Sequence, residues 1–442
     1  MILSEKEVRE LLEKIISENP EKTMSIDVTG TETGSTRFAN NAITTNGVYS
    51  SLNINVKVTK SKKRGVAEIN EPSPDKIREA VARADTLAEI APENAELMPL
   101  LGPQIYVKTP SLYYPNTAEY SPTNRAEAIV ETIEKAKKEK LSAAGFFETS
   151  SSFSGRINSK GLYNYFSSSR SYYSNTLRSE EGSGWAAASE ENVDKLSTDD
   201  LADRALEKAL TSRNPKTVQP GRYTVILEPA AVADMLWFMV FNFFAREADE
   251  GRSFLSHGDG QNRLGEKLFN PKVTIYSDPA FPELPTFAID EEGLPQKKTI
   301  WVEKGIIKNL IYTRFWAEKM KKEPLSSPPN LIMEGGKQTV DDLIRSTRKG
   351  ILVSRFWYIR DLNPMILLLT GLTRDGVFWI ENGKISHPIR NFRFNESPVN
   401  GLKNIVTMST AIRTVGGETG LAAFVPALKI EGFNFSSISE AI

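Results

Sequence analysis

The stretch VILEPAAVADMLWFMVFNFFAR, residues 225–246, carries the pattern of a strand, a turn at Glu228-Pro229 and a helix. The helix is predicted over residues 230–247 and is apolar nearly all round between residues 235 and 244. Such a surface predicts that the domain core or a partner covers the helix. Downstream of it, strand-like runs dominate, with further helical residues expected near 340–347, so residues 216–442 are predicted to form a β-rich C-terminal domain.

Upstream, the first 95 residues have the pattern of an α+β unit. Ser4, with Glu7 three residues later, forms a capping box that predicts a helix to about Ser17. Alternating runs predict paired strands over Ser25–Phe38 and Ala42–Val58, with turn signals at Asn40-Asn41 and Asn46-Gly47. A second helix is predicted over Asp75–Ile90. We therefore expect a first domain over residues 1–95.

The middle segment, residues 96–215, is predicted to be a second domain that follows an irregular connection rich in proline. Helices are expected from Pro122 to about Glu139 and from Ser197 to Leu210. Between them, Ser/Tyr/Phe-rich runs predict antiparallel strands over Ala143–Thr149, Gly155–Phe166 and Ser171–Arg178. No repeat of fixed period is evident in the sequence.

The amino-acid composition reduces the number of function classes that fit this protein. The chain has 55 Lys+Arg and 56 Asp+Glu, so its net charge creates no electrostatic field that would attract nucleic acid or an anionic membrane. With no cysteine, the chain has no disulfide and no thiolate nucleophile, which fits a reducing compartment. The N-terminus has no signal-peptide pattern, and the longest apolar run, 235–244, is too short to cross a bilayer. The expected location is cytoplasmic.

Several short motifs favour ordinary turns. Gly182–Ala187 matches a dinucleotide fingerprint, yet the preceding glutamates and the absence of a strand–helix–strand unit favour a turn. Gly416–Gly420 lacks the Lys-Ser/Thr of a phosphate-binding loop and is also predicted to be a turn. The basic cluster Lys60–Arg64 is predicted to be a hairpin turn. The only histidines, His257 and His387, lie 130 positions apart and are expected to be solvated.

Acidic and basic side chains supply the remaining chemical candidates. In the run Asp290–Pro295, Asp290 and Glu292 are spaced to share one face of an extended chain and to act as acid and base. The alternative is an acidic loop that only forms a turn. Arg252 and Arg393 are candidates for holding a substrate carboxylate, or for internal ion pairs with these same acids.

Five strings in this order resemble the TldD/PmbA family, also described as modulators of DNA gyrase. They are TRFANNAITTNG (36–47), FAIDEEGLPQKKTIWVEKGIIKNLIYTR (287–314), NLIMEGG (330–336), GLTRDGVFWIENGKISHPIRNFRFNESP (371–398) and PALKIEGFNFSS (426–437). The resemblance implies a barrel-like C-terminal domain, and a peptide cleft bordered by the 290–295 segment. It also implies a protein that works on flexible peptides as a dimer. No gyrase-binding or DNA-binding feature is visible in the sequence.

TldD-like members of this family are zinc peptidases whose helix carries an H-E-x-x-x-H motif, with a late cysteine as a further ligand. In this chain the three motif positions hold Trp237, Phe238 and Asn242, and Val415-Gly416-Gly417 lies where the cysteine would fall. We therefore expect no zinc, no other cofactor and no catalytic residue at these positions. The chain is closest in pattern to the PmbA/TldE-like members, which lack the ligands.

Two functions of different class follow. In the first, the chain is a non-catalytic PmbA/TldE-like subunit, as a homodimer or in a heterodimer with a zinc-bearing TldD-like subunit. In the second, it is an active hydrolase in its own right, with a site that the sequence does not reveal. A neighbouring reading frame with an intact H-E-x-x-x-H would favour the first.

Overall fold

Two β-structures organise the chain: an open sheet that ends near residue 190 and a closed barrel that begins near residue 221. The structure, a computed structural model, describes residues 2–258 and 260–440. It is a mixed α+β fold with 24% helix and 41% strand, and five strands in the C-terminal region close into a barrel. The predicted fold class is therefore confirmed.

The N-terminal half places its strands in one six-stranded antiparallel sheet, in the order β3-β2-β1-β4-β5-β6. Its helices and strands are α1 (Glu5–Ser17), β1 (Thr23–Ala39), β2 (Ala42–Lys60), β3 (Lys63–Ile69), α2 (Pro74–Ile90), α3 (Pro115–Ala118), α4 (Pro122–Lys138), β4 (Ser142–Asn158), β5 (Tyr163–Arg178), β6 (Ser183–Glu190) and α5 (Thr198–Thr211).

The predicted helix starts of this half are confirmed, because each depends on a cap within a few residues of chain. Ser4 and Glu7 form the reciprocal capping box of α1. The hydroxyls of Ser73, Ser121 and Ser197 accept backbone N–H groups at the starts of α2, α4 and α5. Each cap satisfies a donor that has no partner within its own helix.

An internal repeat underlies this sheet. The order helix, three strands, helix occurs twice, as α1-β1-β2-β3-α2 and as α4-β4-β5-β6-α5, and the antiparallel pair β1–β4 joins the two units. Gly65 of β3 lies against Ala84 and Ala88 of α2, and Gly184 of β6 lies in the same way against Ala205 and Ala209 of α5. At both crossings a Cβ would overlap a helix carbonyl, so only glycine permits this approach. No fixed period is visible in the sequence because the repeat is conserved in element order and in these small-residue contacts.

The boundary predicted at residue 95 lies between these two units, whose strands share one sheet. The units nevertheless have separate hydrophobic cores. One core lies under α1 and α2, and the other lies under α4 and α5. The proline-bearing segment 91–114 connects them without helix or strand.

Two strand predictions were wrong in their limits. Asn46-Gly47 lies inside β2, where Gly47 pairs with Ser35 and the side-chain Oδ1 of Asn46 accepts a hydrogen bond from the hydroxyl of Thr36. The predicted strand over 155–166 contains the turn between β4 and β5. In both places the register of long paired strands overrides a local turn or strand signal. The turns at Asn40-Asn41 and within Lys60–Arg64 are confirmed.

The C-terminal half contains the barrel and a second, smaller sheet. Its elements are β7 (Gly221–Leu227), α6 (Pro229–Val240), α7 (Ala245–Asp249), β8 (Ser256–Gly258), β9 (Gln261–Asn262), β10 (Ile275–Ser277), β11 (Thr299–Glu303), β12 (Ile306–Ile307), α8 (Arg314–Met320), β13 (Ile332–Met333), α9 (Val340–Arg345), β14 (Lys349–Asn363), β15 (Leu368–Glu381), β16 (Lys384–Pro388), β17 (Phe392–Glu396), α10 (Pro398–Lys403), β18 (Ile405–Met408), β19 (Ile412–Val415), β20 (Ala422–Val425) and β21 (Leu428–Ile438).

The barrel runs in the order β14-β7-β21-β17-β15 and closes through the pairing of β14 with β15. The smaller sheet has the order β12-β11-β10-β13-β20-β19. Helix α6 lies in the core of this half, and most of its side chains are buried. Each large apolar side chain that is fully buried contributes roughly 1.5–3 kcal/mol relative to exposure. The chain itself therefore covers most of the apolar helix that the sequence predicted.

The helix predicted over 230–247 is interrupted. Helix α6 ends at Val240 and α7 begins at Ala245. Between them the backbone pairs with another segment instead, because Ile311 donates to the carbonyl of Phe243 and accepts from Ala245. Within residues 2–258 and 260–440, no helix is long and apolar enough to span a membrane.

Candidate functional site

Helix α6 and the loop 416–420 lie side by side and form the first candidate site. The loop is held by Asp234, whose side chain is completely buried in the first half of the helix. Its carboxylate accepts the backbone N–H groups of Glu418 and Thr419, each at 3.0 Å, and the Thr419 hydroxyl at 2.9 Å. The structure thus brings together the two segments at which the resemblance implies metal ligands.

The side chains at those ligand positions do not fit a zinc ion. The Trp237 indole N–H can only donate, and it donates to the carbonyl of Ala422 at 3.3 Å. The side chain of the half-buried Phe238 has no atom that could coordinate a metal ion. The side-chain amide of Asn242 donates a hydrogen bond to the backbone carbonyl of Phe238 at 2.9 Å. Val415 has an apolar side chain, and Gly416 and Gly417 have none. Zinc prefers thiolate, imidazole and carboxylate ligands, and none occurs at any of these positions.

The two histidines lie apart from this site. His257 Nδ1 is 2.7 Å from a carboxylate oxygen of Glu266, and His387 Nδ1 is 3.1 Å from the hydroxyl of Ser386. Among the residues that the structure describes, no group of three or more His, Cys, Asp or Glu side chains is arranged to hold a metal ion.

The buried carboxylate of Asp234 makes the stability of this site depend on pH. Burial raises its pKa to about 6, while the hydrogen bonds from Thr419 and Glu418 act in the opposite direction. In the unfolded chain an aspartate has a pKa of about 3.9. Between these values the folded state binds more protons than the unfolded state, so the contribution of Asp234 to the free energy of unfolding falls as pH rises.

We therefore expect wild type to lose stability relative to Asp234→Asn between about pH 4 and pH 7, by an amount on the order of 3 kcal/mol at most. The difference between the two proteins isolates this one carboxyl, since all other titrating groups are shared. Urea unfolding of both across this range measures it. A difference that stays constant with pH would show that Asp234 titrates normally.

Further polar contacts hold the loop 416–420 against the barrel. Glu418 accepts the Tyr358 N–H at 2.8 Å, and it pairs with Arg360 at 3.0 Å. The buried Arg355 donates to Asp375 at 2.7 Å and to the Gly417 carbonyl at 3.3 Å. The sequence did not single out Arg355 or Asp375. The one local signal for these two residues is the glycine that follows Asp375 in the sequence. In the structure both Asp375 and Gly376 have a positive φ.

A second candidate site is the cleft between the six-stranded sheet and the C-terminal half. The sheet face opposite the helices is polar. On this face, every second residue over 29–33 of β1 and over 150–154 of the paired strand β4 is a threonine or a serine: Thr29, Thr31, Thr33, Ser150, Ser152 and Ser154. A cleft of about 510 Å³ opens at one end of this face, and a neighbouring cleft of about 590 Å³ lies beyond the segment 290–296. Both are within the size range of ligand sites, roughly 300–1,000 Å³.

Charged residues crowd the first cleft. Asp27 of β1 pairs with Lys57 of β2 at 2.8 Å and with Arg156 of β4. On the opposite wall, Arg314 pairs with Glu292 at 3.1 Å and donates to the Pro99 carbonyl at 2.6 Å. The cleft can thus offer both signs of charge to a ligand.

Of the four cleft residues predicted from sequence, the structure places two at the clefts and two elsewhere. Asp290 and Glu292 border the clefts. One oxygen of Asp290 accepts the N–H groups of Glu292 and Leu294, so it shapes the turn. Arg252 pairs with Glu250 on the surface, and Arg393 of barrel strand β17 donates to the hydroxyl of Thr370 on β15. These two arginines line neither cleft and pair with neither Asp290 nor Glu292.

Comparison with known proteins gives consistent matches over most of the chain. The sequence profile of the PmbA/TldA metallopeptidase central domain matches residues 118–213, and that of the C-terminal domain matches residues 220–437. A protein named Metalloprotease from Methanothermobacter thermautotrophicus is 25% identical over 232 residues, which is 49% of each chain. Metalloprotease PmbA of Escherichia coli O157:H7 is 20% identical over 398 residues, 86% of this chain and 85% of that protein.

The crystal structure of TldE from Thermococcus kodakarensis superposes with a TM-score of 0.86 at 20% identity, covering 97% of this chain and 100% of that one. The alignments with several other curated relatives are shorter than that with the Escherichia coli protein, and they cover about half or less of the length of those relatives. These similarities establish the fold and the kind of domains present.

Proposed function

The chain belongs to the PmbA/TldD family of metallopeptidase-related proteins, and from this premise we propose that it is a non-catalytic, PmbA/TldE-like subunit. In this role it supports a zinc-bearing TldD-like partner that cleaves flexible peptides. The observation that carries the proposal is the chemistry of Trp237, Phe238, Asn242 and residues 415–417, which offer no general base and none of the thiolate, imidazole or carboxylate ligands that zinc prefers.

Packing around Gly416 supports the same proposal. A Cβ at this position would overlap Oδ1 of Asp234 and the hydroxyl of Thr419, so a cysteine does not fit beside the buried carboxylate. The side chains of Asp234 and Thr419, whose hydrogen bond holds the loop 416–420, occupy the space that a cysteine at this position would need. Asp234 therefore joins α6 to this loop without a metal ion.

The proposed assembly is a dimer, with a TldD-like subunit or with a second copy of this chain. We expect light scattering to give about twice the chain mass of 49.2 kDa. Closed two-fold dimers are the commonest soluble assembly. Adding the purified TldD-like partner should yield a stable complex of both chains that cleaves flexible peptides. A mass that stays at one chain, before and after the partner is added, would exclude the subunit role.

A second candidate, an active hydrolase in its own right, is favoured by the names of the curated relatives. The Escherichia coli protein named Metalloprotease PmbA aligns over 85% of its length. The two functions differ in whether the chain alone cleaves peptides, a difference that is directly measurable.

A further inference from the structure

The hairpin that connects β14 to β15 carries an exposed apolar surface on the barrel. Residues 360–366 are all exposed, while Ile359 and Leu367 on either side are buried in the core of the C-terminal half. These buried flanks fix the hairpin in place. Its large apolar side chains are nevertheless 38–54% exposed: Trp357, Tyr358, Leu362, Met365 and Ile366.

The backbone of β14 is distorted so that two neighbouring aromatic rings face solvent. The register with β15 shifts between Trp357 and Arg360, as in a β-bulge, and Tyr358 has a φ of 55°. In a regular strand, neighbouring side chains point to opposite faces, so one ring would face the barrel core. A positive φ is unfavourable for a large side chain and persists only where surrounding contacts enforce it. Here the carboxylate of Glu418 accepts the Tyr358 N–H at 2.8 Å. Strained backbone that keeps two rings at the surface favours a role for them at an interface.

Two further exposed side chains adjoin the hairpin beyond the loop 416–420. Leu421, which follows this loop, is 40% exposed, and Phe241, which lies against the ring of Trp237, is 49% exposed. We call these two and the five hairpin side chains the hairpin surface. At about 100 Å² for each half-exposed side chain, it leaves on the order of 700 Å² of apolar area in water. The largest apolar patch of a typical monomer is roughly 300–600 Å², whereas each side of a stable interface buries about 800 Å².

The charges on the hairpin are complementary to a second copy of the same surface. Asp361 is exposed and has no hydrogen bond or ion pair among the described residues. Partial burial raises the pKa of its carboxyl, and no cation offsets this effect. The adjacent Arg360 lies over the Tyr358 ring at 4.2 Å and pairs with Glu418 at 3.0 Å. Since a two-fold pairing brings the same patch against itself, adjacent opposite charges such as Arg360 and Asp361 are self-complementary.

We propose that the hairpin surface joins two copies of this chain in a two-fold dimer, in which Arg360 of each copy faces Asp361 of the other. This inference rests on the dimer of the proposed function and assigns the surface that forms it. Tryptophan, tyrosine, methionine and arginine are enriched at interfaces, and Trp357, Tyr358, Met365 and Arg360 supply all four. A formal net charge of −1 places no strong repulsion between two copies.

Sedimentation velocity of the full chain over a concentration series tests the surface. Wild type should reach twice the chain mass of 49.2 kDa. The double variant Leu362→Asp, Ile366→Asp should weaken the dimer about thirtyfold or more, because it places charges in an apolar contact. Leu87→Asp, at an exposed leucine of α2, is the matched control and should associate like wild type. Thermal unfolding of each variant establishes that it is folded.

Two charge variants test whether the partner is a second copy. Asp361→Lys and Arg360→Glu should each weaken self-association, because like charges then meet across the two-fold axis. When the two variants are mixed, with one of them isotope-labelled, native mass spectrometry should show mixed dimers, because opposite charges face each other again.

The outcomes separate this inference from the subunit role. A dimer that survives the Leu362→Asp, Ile366→Asp substitutions, or charge variants that form no mixed dimer, would overturn the inference and leave the subunit role intact. A monomeric wild type that binds only a TldD-like subunit would do the same. A wild type that binds neither would overturn both.

Discussion

Replacing Gly184 with alanine should lower the free energy of unfolding by roughly 3 kcal/mol, one of the largest effects expected from a single methyl group in this chain. Gly184 of β6 crosses α5 so closely that the new Cβ would overlap the Ala205 carbonyl and lie 2.6 Å from the Ala209 nitrogen. Both neighbours are helix backbone, so the helix must move as a whole. Against a total stability of about 5–15 kcal/mol, this is a substantial fraction.

The internal repeat supplies a parallel experiment and the sheet supplies a control. Gly65→Ala should be destabilising for the same reason, because its Cβ would overlap the Ala84 carbonyl. Gly47→Ala in β2 meets no atom within 4 Å and should leave stability nearly unchanged. The melting temperatures of Gly184→Ala and Gly65→Ala should lie about 3 °C below that of Gly47→Ala, for cooperative unfolding of a chain of 442 residues. Equal melting temperatures would mean that the two crossings are looser than described.

The chain alone should neither cleave unstructured peptides nor retain stoichiometric zinc. A bound metal ion lowers the pKa of its water to about 7, and no side chain at Trp237, Phe238, Asn242 or residues 415–417 can position such a metal. With no cysteine in the sequence, a thiolate nucleophile is also absent. Peptide hydrolysis should therefore remain at the uncatalysed rate, many orders of magnitude below that of a zinc peptidase.

Casein and short flexible peptides, incubated with and without chelator, measure activity, and elemental analysis after mild dialysis measures zinc. The TldD-like partner, assayed under the same conditions, is the positive control. Chelator-sensitive cleavage that survives rigorous purification would favour the hydrolase reading. So would one zinc per chain that is lost when His257 or His387 is substituted.

The helix starts of the N-terminal half could be predicted from sequence because their determinants are local. Ser4 with Glu7, and the serines before Pro74 and Pro122, act on backbone groups within one turn of helix. Whether a residue can coordinate zinc is also a local property, because it depends on the atoms of that side chain. Trp237 and Phe238 lack the atoms that zinc requires, whatever their surroundings.

The end of α6 was not predictable, because an apolar run continues the helical pattern through Asn242. The helix stops where backbone groups of Phe243 and Ala245 bond to Ile311, some 66 positions away. A local pattern contains no information about such a partner. The strand limits near Asn46-Gly47 were missed for the same reason, since pairing with β1 decides them.

By itself, the sequence determined the capped helices of the N-terminal half, that the apolar run 235–244 must be covered, and that the expected zinc ligands are missing. Only the tertiary structure decided that β1 pairs with β4 to unite two similar units in one sheet. It alone placed Asp234 against the loop 416–420. Local preferences follow from the covalent chemistry of neighbouring residues, whereas these contacts join residues more than 100 positions apart. Such contacts arise from the simultaneous packing of the whole chain, so no short stretch of sequence specifies them.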